Sequence, residues 1–455
     1  MMDLSGKRVV VFGLGRSGRA AVSLLDRQDA TIVAYDQRPP EQLGDATSGW
    51  LEAGVELHLN VPPAAALAGA DLIVLSPGVN PNLPVLQRAL EQGTRIIGEV
   101  ELAYRFLPKD ARVIGISGTN GKSTTTALTG ALIEAAGHEV FVGGNLGTPL
   151  SDAAAWDLAA KAYVVELSSY QLETIQTFRP QGAALLNLTP DHADRHGSFE
   201  AYAEAKARLF MNQTDDDRVI ANAADPRILD LAQRSPAQQW VFDGRIGAVP
   251  DKRRGAFAES ADRFLIRTEL GEGHLVVDNR SLRGPHNLEN AMVAALLAHG
   301  EGVPFEALQE GLNGFKGLPH RMESVRTLNG VEYVNDSKAT NVASTVVALS
   351  AFEKGVWLIL GGRGKGSSYE DVVKLCPGRV REVLTTGEDA PKIEAALEGK
   401  VPFTRCETLE AAVDRAHAKA VEGEVVLLSP ACASQDQFRD FEDRGLTFRR
   451  LVSAL

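Results

Sequence analysis

Short runs of β-branched and aliphatic residues alternate with Ala- and Leu-rich segments along most of this chain. Because the runs are apolar at nearly every position, they predict strands that are covered on both faces, as in parallel sheets. The segments 122–136 and 289–299 have the residue spacing of helices. The pattern predicts an α/β fold with right-handed crossovers. The predicted strands are 8–13, 31–36, 71–76, 112–118, 163–169, 183–189, 331–336, 356–362 and 425–430.

The order of these segments predicts three domains. One strand–glycine loop–helix unit opens the chain and a second begins near Arg112, so we expect a junction near residue 100. A third α/β set follows the Gly- and Pro-containing stretch 314–321. We expect domains at 1–100, 101–317 and 318–455, with the polar segment 243–263 as an insertion or surface loop.

Composition and charge exclude several classes of protein. The chain has 455 residues, enough for about two to four domains, with 44% hydrophobic and 23% charged residues, as in globular proteins. Its net charge of −12 argues against general binding to nucleic acids or to anionic membranes. Three cysteines cannot form a disulfide framework, and no apolar run reaches the ~18–20 residues that span a bilayer. With no evident signal peptide, we expect a cytoplasmic protein.

The first glycine loop, Gly13-Leu14-Gly15-Arg16-Ser17-Gly18, follows a predicted strand and precedes a predicted helix. Asp36 ends the next strand, where an acid can accept hydrogen bonds from a ribose. The pattern is typical of NAD-binding folds, but it requires only a diphosphate above a helix N-terminus. A nucleotide-sugar diphosphate satisfies it equally well, and a glycine turn without a ligand is the third interpretation.

The second glycine loop is the stronger signal. Its residues are Gly118, Thr119, Asn120, Gly121, Lys122, Ser123 and Thr124, between a strand and a helix. Backbone N–H groups in such a loop cradle phosphates, Lys122 can neutralise β- and γ-oxygens, and Ser123 can bind Mg²⁺. Since the first glycine of the general P-loop would fall on Ile116, this loop is a subtype. A dehydrogenase has no use for it.

Several acidic and basic residues could complete a nucleotide site. Glu166 lies inside an apolar strand, which predicts either a Mg²⁺ ligand or a buried salt bridge. Asp191, His192, Asp194 and His196 cluster just after another strand. By its spacing alone, Lys206 is expected to be an ordinary solvated lysine. Asn287 and Asn290 lie three apart on one helical face, where amides suit adenine or ribose as well as capping.

The last third of the chain carries its own polar residues at strand ends. Asp336 and Lys338 follow one strand, with Thr340 and Asn341 close behind. Fixed positive charge for anionic groups comes from Arg321, Lys365 and Arg444. Hydroxyls are available at Ser429 and Ser434, whereas the spacing of Phe438 and Phe441 is more typical of core contacts.

Taken together, these strings resemble the Mur ligase family of peptidoglycan synthesis. GTNGKST, VVELSSYQLE, NLTPDHADRH, GPHNLENA, LPHR, VNDSKATN, GGRGKG and LLSPACASQDQFRDFEDRG occur in the family's order from end to end. The last string is most similar to the D-glutamate-adding members. The resemblance implies an α/β fold of three domains: a Rossmann-like N-terminal domain, a central P-loop ATPase-like domain and a C-terminal Rossmann-like domain.

The resemblance also implies an activity. We expect ATP-dependent formation of an amide bond between UDP-N-acetylmuramoyl-L-alanine and D-glutamate, through an acyl phosphate and with Mg²⁺. The partners are then small molecules, with no nucleic acid and no membrane, and we expect a monomer. An NAD-dependent dehydrogenase, a folylpolyglutamate synthetase and a non-catalytic ATP sensor are the alternatives.

The site residues implied by the resemblance fall into five groups. The group for the UDP substrate is Arg16, Ser17, Asp36, Gln37, Arg38, Ser76, Asn145 and His192. The group for ATP is Gly118, Thr119, Asn120, Gly121, Lys122, Ser123, Thr124, Asn287, Asn290, Arg321 and Asp336. The group for D-glutamate is Thr340, Lys365, Ser434, Gln435 and Phe441. The metal group is Ser123, Glu166, His192 and Lys206, the last as a carbamate. The catalytic group is Lys122, His192, Lys206 and Lys338.

Two positions depart from the pattern. Arg16 and Gln435 stand where apolar side chains are expected in this subfamily. Arg16 is a candidate for an additional phosphate contact, and Gln435 bears on the shape of the amino-acid pocket.

Overall fold

The computed structural model describes residues 2–43, 46–156, 158–247 and 252–455, without the side chains of residues 46, 48, 193 and 194. The chain forms two compact units. The first comprises residues 1–276 and 289–312 and contains two sheets; the second comprises residues 277–288 and 313–455 and contains one. The described residues therefore form three sheets with helices between their strands, in agreement with the predicted α/β fold class. The exact boundaries at residues 100 and 317 stay a prediction.

The N-terminal sheet is parallel, with strand order β3-β2-β1-β4-β5. Its central strands β1 and β4 are apolar and buried, as predicted, whereas the edge strand β3 is half polar and gave no clear signal. The strands are β1 (Arg8–Phe12), β2 (Thr31–Asp36), β3 (Glu56–Leu59), β4 (Leu72–Leu75) and β5 (Arg95–Gly98). The helices are α1 (Arg16–Leu25), α2 (Ala46–Glu52), α3 (Pro63–Leu67), α4 (Pro84–Glu91) and α5 (Glu99–Tyr104).

The second sheet has the order β14-β13-β12-β11-β10-β9-β6-β8-β7. Strands β6 to β12 are parallel, and β13 and β14 are added antiparallel at one edge. The strands are β6 (Val113–Ser117), β7 (Val140–Gly144), β8 (Ala162–Glu166), β9 (Gly182–Leu185), β10 (Arg218–Asn222), β11 (Gln238–Asp243), β12 (Gly255–Ala258), β13 (Arg263–Thr268) and β14 (Gly271–Val276). The helices that follow these strands are α6 (Lys122–Ala135), α7 (Leu150–Ala155), α8 (Ser169–Leu172), α9 (Ala193–His196), α10 (Phe199–Ala207), α11 (Pro226–Gln233), α12 (Pro285–Gly300) and α13 (Phe305–Gly314).

The prediction that residues 243–263 form an insertion or surface loop is wrong in part. Residues 255–258 form the fully buried strand β12, which pairs with β11 and β13. The strand is only four residues long and follows a charged stretch, so the average polarity of the segment concealed it. Residues 248–251 of the segment lie outside the described part of the chain.

The third sheet has the order β15-β16-β20-β17-β18-β19, with only β15 antiparallel. Its strands β16, β17 and β20 are buried along their whole length, as their sequences predict. The strands are β15 (Glu323–Leu328), β16 (Val331–Asn335), β17 (Val356–Gly361), β18 (Val380–Thr386), β19 (Phe403–Glu407) and β20 (Val425–Leu428). The helices are α14 (Val342–Ser350), α15 (Glu370–Leu375), α16 (Ala390–Leu397), α17 (Leu409–Lys419) and α18 (Phe441–Ala454). No helix in the described residues is long and apolar enough to cross a membrane.

Glu101 on α5 joins the N-terminal sheet to the second sheet within the first unit. Its side chain is fully buried, and its carboxylate accepts the N–H groups of Gln176, Thr177 and Phe178 and the Thr177 hydroxyl. The Arg105 guanidinium adds a fifth donor at 2.7 Å. Burial alone would raise the pKa of Glu101, but these donors outweigh it and hold the pKa below its ordinary value. Its ionised form therefore stabilises the fold, and this contribution is lost as the pH falls through the lowered pKa.

We predict that Glu101→Gln lowers the free energy of unfolding by about 2–3 kcal/mol, because the neutral amide accepts fewer hydrogen bonds from the same donors. Urea unfolding followed by tryptophan fluorescence measures the change. Glu91→Gln, at an exposed position on α4, is the matched control and should change it by less than about 0.5 kcal/mol. Equal unfolding curves for Glu101→Gln and the unaltered chain would contradict the role of Glu101.

Candidate functional site

The first glycine loop is a close junction between β1 and α1. Gly13 has φ +93°, in the region that favours glycine, and a Cβ on Gly18 would overlap the Gly13 carbonyl oxygen. The Ser76 hydroxyl donates to that same oxygen at 2.7 Å. These two glycines and Ser76 therefore bring the N-terminus of α1 next to the end of β4.

A cavity of about 710 Å³ opens at the carboxyl ends of β1, β2 and β4. This is the edge where doubly wound sheets bind their ligands. Seven of the eight residues predicted for the UDP substrate line it, and the eighth, His192, does not. The seven are Arg16, Ser17, Asp36, Gln37, Arg38, Ser76 and Asn145.

Asp36 orients a cation at the rim of this cavity. Its carboxylate accepts the Leu14 N–H at 2.7 Å and the Arg38 guanidinium at 2.8 and 2.9 Å. Burial opposes ionisation, but Arg38 and the Leu14 N–H outweigh it and lower the pKa of Asp36 to about 2. The Arg38 side chain remains 44% exposed. Both oxygens of Asp36 thus already have donors from the chain, and Arg38 presents positive charge to a ligand.

Arg16, the unexpected cation of the first loop, reaches the second sheet. Its guanidinium donates to the carbonyl oxygen of Gly147 at 3.0 Å, and its side chain lines the cavity. Gly147 lies two residues after Asn145, which lines the cavity from the same loop. Arg16, which stands where an apolar residue is expected, therefore connects the two walls of the cavity.

The second glycine loop is held by Asn187, a residue that the motif analysis did not single out. The Asn120 N–H donates to Asn187 Oδ1 at 2.8 Å, and Asn187 Nδ2 returns a bond to the Asn120 oxygen at 3.0 Å. The Thr119 N–H donates to the Asn187 backbone oxygen. The sequence could have indicated Asn187 through its position two residues after β9, because the phosphate loop lies at the same edge of the sheet.

The two candidate amides of α12 occupy different environments. Asn290 Oδ1 accepts from the Thr125 hydroxyl at 3.1 Å and lies against Gly121, where a Cβ would overlap it. Gly121 has φ +85° and precedes the first residue of α6. Asn287 Nδ2 donates to the Arg283 oxygen at 2.9 Å. Asn290 therefore supports the loop and the start of α6, whereas Asn287 bonds within its own helix N-terminus.

Lys122 and Lys206 converge on one carbonyl oxygen. Lys122 Nζ lies 2.9 Å from the Gly118 oxygen and 2.8 Å from the Thr119 oxygen. Lys206 Nζ lies 2.8 Å from the same Gly118 oxygen and 3.4 Å from Ser117 Oγ. Two amines thus share the loop at the end of β6, next to the buried Ser123.

The expectation that Lys206 is solvated is wrong. Its side chain is 2% exposed, although its helix has no apolar face that would have revealed this burial in the sequence. Burial, and then the Lys122 ammonium, hold the pKa of Lys206 well below its ordinary value. This environment therefore favours the neutral, nucleophilic amine over the ammonium form at this position.

Glu166 faces the same region from β8. It is 2% exposed, and its Oε1 accepts from Asn145 Nδ2 at 2.6 Å. Its Oε2 is buried and has no hydrogen-bond partner, and within the described residues no salt bridge involves Glu166. The salt-bridge alternative is therefore not observed. Asn145 also lines the cavity and therefore connects Glu166 to it, and Glu166 ends β8, which pairs with β6 just ahead of the phosphate loop.

His192 lies in an aromatic group beside the loop. Its Nδ1 is 2.9 Å from the Tyr170 hydroxyl, and its Nε2 is 3.5 Å from Asp191 Oδ2. The Tyr202 hydroxyl, 3.1 Å from Thr119 Oγ1, connects this group to the loop. His196 contacts Ser169 Oγ and the Glu173 carboxylate, and these contacts indicate a structural role. The side chain of Asp194 lies outside the described part of the structure.

In the second unit, Asp336 is a buried carboxyl group at the end of β16. It accepts from the Ser429 hydroxyl at 2.8 Å and from the Met322 N–H at 3.2 Å. Burial raises its pKa to about 7, against the effects of Ser429 and the Arg321 charge. In the part of the chain that the structure describes, the buried Nε of Arg321 has no hydrogen-bond partner. Lys338 Nζ lies 5.5 Å from the centre of the Phe441 ring.

Arg444 holds the remaining residues of this sheet edge together. Its guanidinium donates to Ser337 Oγ and to the backbone oxygens of Ser337 and Cys432. The Ser337 hydroxyl in turn donates to the Phe441 oxygen at 2.8 Å. Ser434 is 1% exposed, and its hydroxyl has no hydrogen-bond partner among the described residues. Lys365 and Gln435 are exposed and Thr340 is half-buried. These four residues follow the carboxyl ends of the parallel strands β16, β17 and β20, at one edge of the sheet.

Comparison with known proteins gives matches along the whole chain. Residues 7–98 match the Mur ligase MurD-like N-terminal domain, residues 116–298 the Mur ligase middle domain and residues 320–432 the Mur ligase glutamate ligase domain. UDP-N-acetylmuramoylalanine–D-glutamate ligase of Myxococcus xanthus is 51% identical, covering 100% of each chain. The ligase of that name from Anaeromyxobacter dehalogenans is 50% identical, over 99% of this chain and 98% of its own.

Solved structures have the same fold. A pseudomurein peptide ligase type C from Methanothermus fervidus aligns with a TM-score of 0.59 at 19% identity, over 99% of this chain and 100% of its own. UDP-N-acetylmuramate-alanine ligase from Thermotoga maritima aligns with a TM-score of 0.58 at 19% identity, with the same coverage. The end-to-end matches of sequence and fold show that this chain belongs to the Mur ligase family.

Proposed function

We propose that this protein is an ATP-dependent ligase that joins D-glutamate to UDP-N-acetylmuramoyl-L-alanine in peptidoglycan precursor synthesis. The observation that carries the proposal is the identity of 51% over the full chain with a ligase named for these two substrates. The geometry is consistent with it, because a nucleotide-sized cavity and a phosphate loop lie in one compact unit. A nicotinamide dehydrogenase would leave the phosphate loop without a role.

We assign the UDP moiety to the cavity of the N-terminal sheet. The N-terminus of α1 and the exposed guanidinium of Arg38 provide the positive potential that a diphosphate needs. Asn145 sits where the cavity meets Glu166, so the end of the substrate that reacts lies toward the phosphate loop. His192, outside the cavity lining, is assigned to that reactive end.

The residues around the loop fit Mg²⁺. Mg²⁺ prefers oxygen ligands and keeps waters and substrate phosphates in its shell. Within the described residues, Oε2 of Glu166 is buried without a hydrogen-bond partner; this oxygen and the Ser123 hydroxyl are such ligands, and His192 is assigned to the same metal group. No group of three His, Cys, Asp or Glu side chains in the described residues could hold a metal by itself. When bound, Mg²⁺ neutralises charge on the phosphates.

Lys206 completes this donor set as a carbamate. The ammonium form first loses one proton; the resulting neutral amine then adds CO₂ and loses a second proton, which leaves an anionic carbamate that can bind metal. The low pKa of Lys206 makes the neutral amine accessible. The change also removes the repulsion between two ammonium groups on the Gly118 oxygen.

The reaction then follows from the positions of these groups. The carboxylate of the L-alanyl residue attacks the γ-phosphorus of ATP, so that an acyl phosphate forms and ADP leaves. Lys122 neutralises the charge that develops on the phosphoryl oxygens. The amine of D-glutamate then attacks the acyl carbon, the amide bond forms and phosphate leaves. Thr340, Lys365, Ser434, Gln435 and Phe441 are assigned to D-glutamate, Arg321 and Asp336 to ATP, and Lys338 to the reacting groups.

We also propose that the protein acts as a cytoplasmic monomer on small-molecule substrates. Nucleic acids are poor partners for its acidic surface, since the chain carries a net charge of −12. The domain boundaries 1–100, 101–317 and 318–455 are retained as part of the proposal.

Substrate choice is the first test. We predict phosphate release from ATP only when UDP-N-acetylmuramoyl-L-alanine and D-glutamate are both present with Mg²⁺. A colorimetric phosphate assay compares D-glutamate with L-glutamate, L-lysine and diaminopimelate. Release without the UDP substrate would indicate an ATP sensor or hydrolase instead, and release with another amino acid would refute the proposed acceptor.

Lys122→Ala is predicted to lose ligation, by about a thousandfold or more, because a fixed cation at the transferred phosphoryl group is removed. Product formation with saturating substrates measures the loss. Lys109→Ala, at an exposed position in the same unit, is the matched control and should retain full activity. Turnover of Lys122→Ala within about tenfold of the unaltered enzyme would rule out this assignment.

A further inference from the structure

Two loops of the third sheet run side by side where β17 and β20 end. Residues 361–366 carry Lys365, and residues 429–436 carry Ser434. Arg363 and Ala433 exchange backbone hydrogen bonds of 2.9 and 3.0 Å between these loops. The separation of the two candidate D-glutamate residues therefore depends on how the loops are fixed to each other.

Tyr369 lies beneath both loops and is 5% exposed. Its hydroxyl donates to Asp389 Oδ2 at 2.7 Å and lies 3.1 Å from Cys432 Sγ. Burial raises the pKa of the Tyr369 hydroxyl, and burial raises the pKa of the Cys432 thiol to about 11, so both groups keep their protons at neutral pH. Because the single hydroxyl proton points to Asp389, the thiol is the donor to the Tyr369 oxygen.

Each partner of Tyr369 belongs to one of the loops or lies directly under it. The Asp389 N–H donates to the Gly362 oxygen at 2.9 Å, and a Cβ on Gly364 would overlap the Asp389 carboxylate. The Asp389 carboxylate therefore constrains the backbone at Gly364, immediately before Lys365. Cys432 precedes Ser434 by two residues, and its carbonyl oxygen accepts two bonds of 3.2 Å from Arg444.

We propose that Tyr369 is a positioning residue for the amino-acid substrate. Its hydroxyl fixes the loop of Lys365 relative to the loop of Ser434 through Asp389 and Cys432, and it does not itself contact the substrate. The inference rests on the proposed function, in which these two loops bind D-glutamate. The affinity for D-glutamate therefore depends on this hydroxyl, whereas the affinities for ATP and for the UDP substrate do not.

Tyr369→Phe removes one oxygen atom and keeps the packing of the ring. We expect the KM for D-glutamate to rise about fivefold, the equivalent of about 1 kcal/mol for one lost buried hydrogen bond. The KM values for ATP and for UDP-N-acetylmuramoyl-L-alanine should change by less than about twofold, as should kcat at saturating D-glutamate. An unchanged KM for D-glutamate would overturn the inference, and so would an equal rise in all three KM values.

Tyr333→Phe is the matched control. Tyr333 is 1% exposed, and its hydroxyl contacts His417 Nδ1 at 3.0 Å in the same compact unit. The substitution also removes one buried hydroxyl, so it should lower the thermal midpoint of unfolding by a similar amount. Its KM for D-glutamate should equal that of the unaltered enzyme. A similar rise for both variants would assign the effect to general destabilisation and refute the positioning role.

A double-mutant cycle with Asp389→Ala tests the route of the effect. If Tyr369 acts through Asp389, the double variant has nearly the same KM for D-glutamate as Asp389→Ala alone. Multiplied effects of the two substitutions would overturn this route. The unaltered enzyme separates this inference from the proposed function: if it shows no D-glutamate-dependent turnover, the proposed function fails before any variant is compared.

Discussion

The carbonyl oxygen of Gly118 accepts hydrogen bonds from the side-chain amines of Lys122 and Lys206, and the charge balance of the phosphate loop depends on these two amines. Two ammonium groups at one buried acceptor repel each other in a region of low dielectric. Burial and the Lys122 charge together disfavour the ammonium form of Lys206. Within the described residues, one buried carboxylate oxygen of Glu166 has no hydrogen-bond partner. In the proposed function, the substrates and Mg²⁺ balance these charges.

The same region is connected to the two neighbouring binding surfaces by single side chains. Asn145 lines the cavity of the N-terminal sheet and donates to Glu166. Asn187 holds the backbone of the phosphate loop, and Tyr202 joins this loop to the group around His192. Asn145 thus connects the cavity to Glu166, and Asn187 and Tyr202 are bonded to the phosphate loop, all within the first unit.

Much of this arrangement is predictable from local sequence, because buried strands and glycine loops have local signals. The apolar runs predicted β1, β6, β8 and β20, and the pattern after β6 located the phosphate loop. The burial of Lys206 is a non-local property: α10 has no apolar face, and its lysine becomes buried only where it meets a loop 88 residues away. The Leu14 N–H donor to Asp36 and the short strand β12 likewise depend on contacts between elements.

We propose that Lys206 becomes an anion by carbamylation, and ¹³C NMR of protein equilibrated with ¹³C-bicarbonate tests this most directly. We predict one carbamate resonance in the unaltered protein that is absent from Lys206→Ala. Identical carbamate spectra for the two proteins would show that Lys206 stays an amine, and the proposed charge arrangement at the phosphate loop would be wrong.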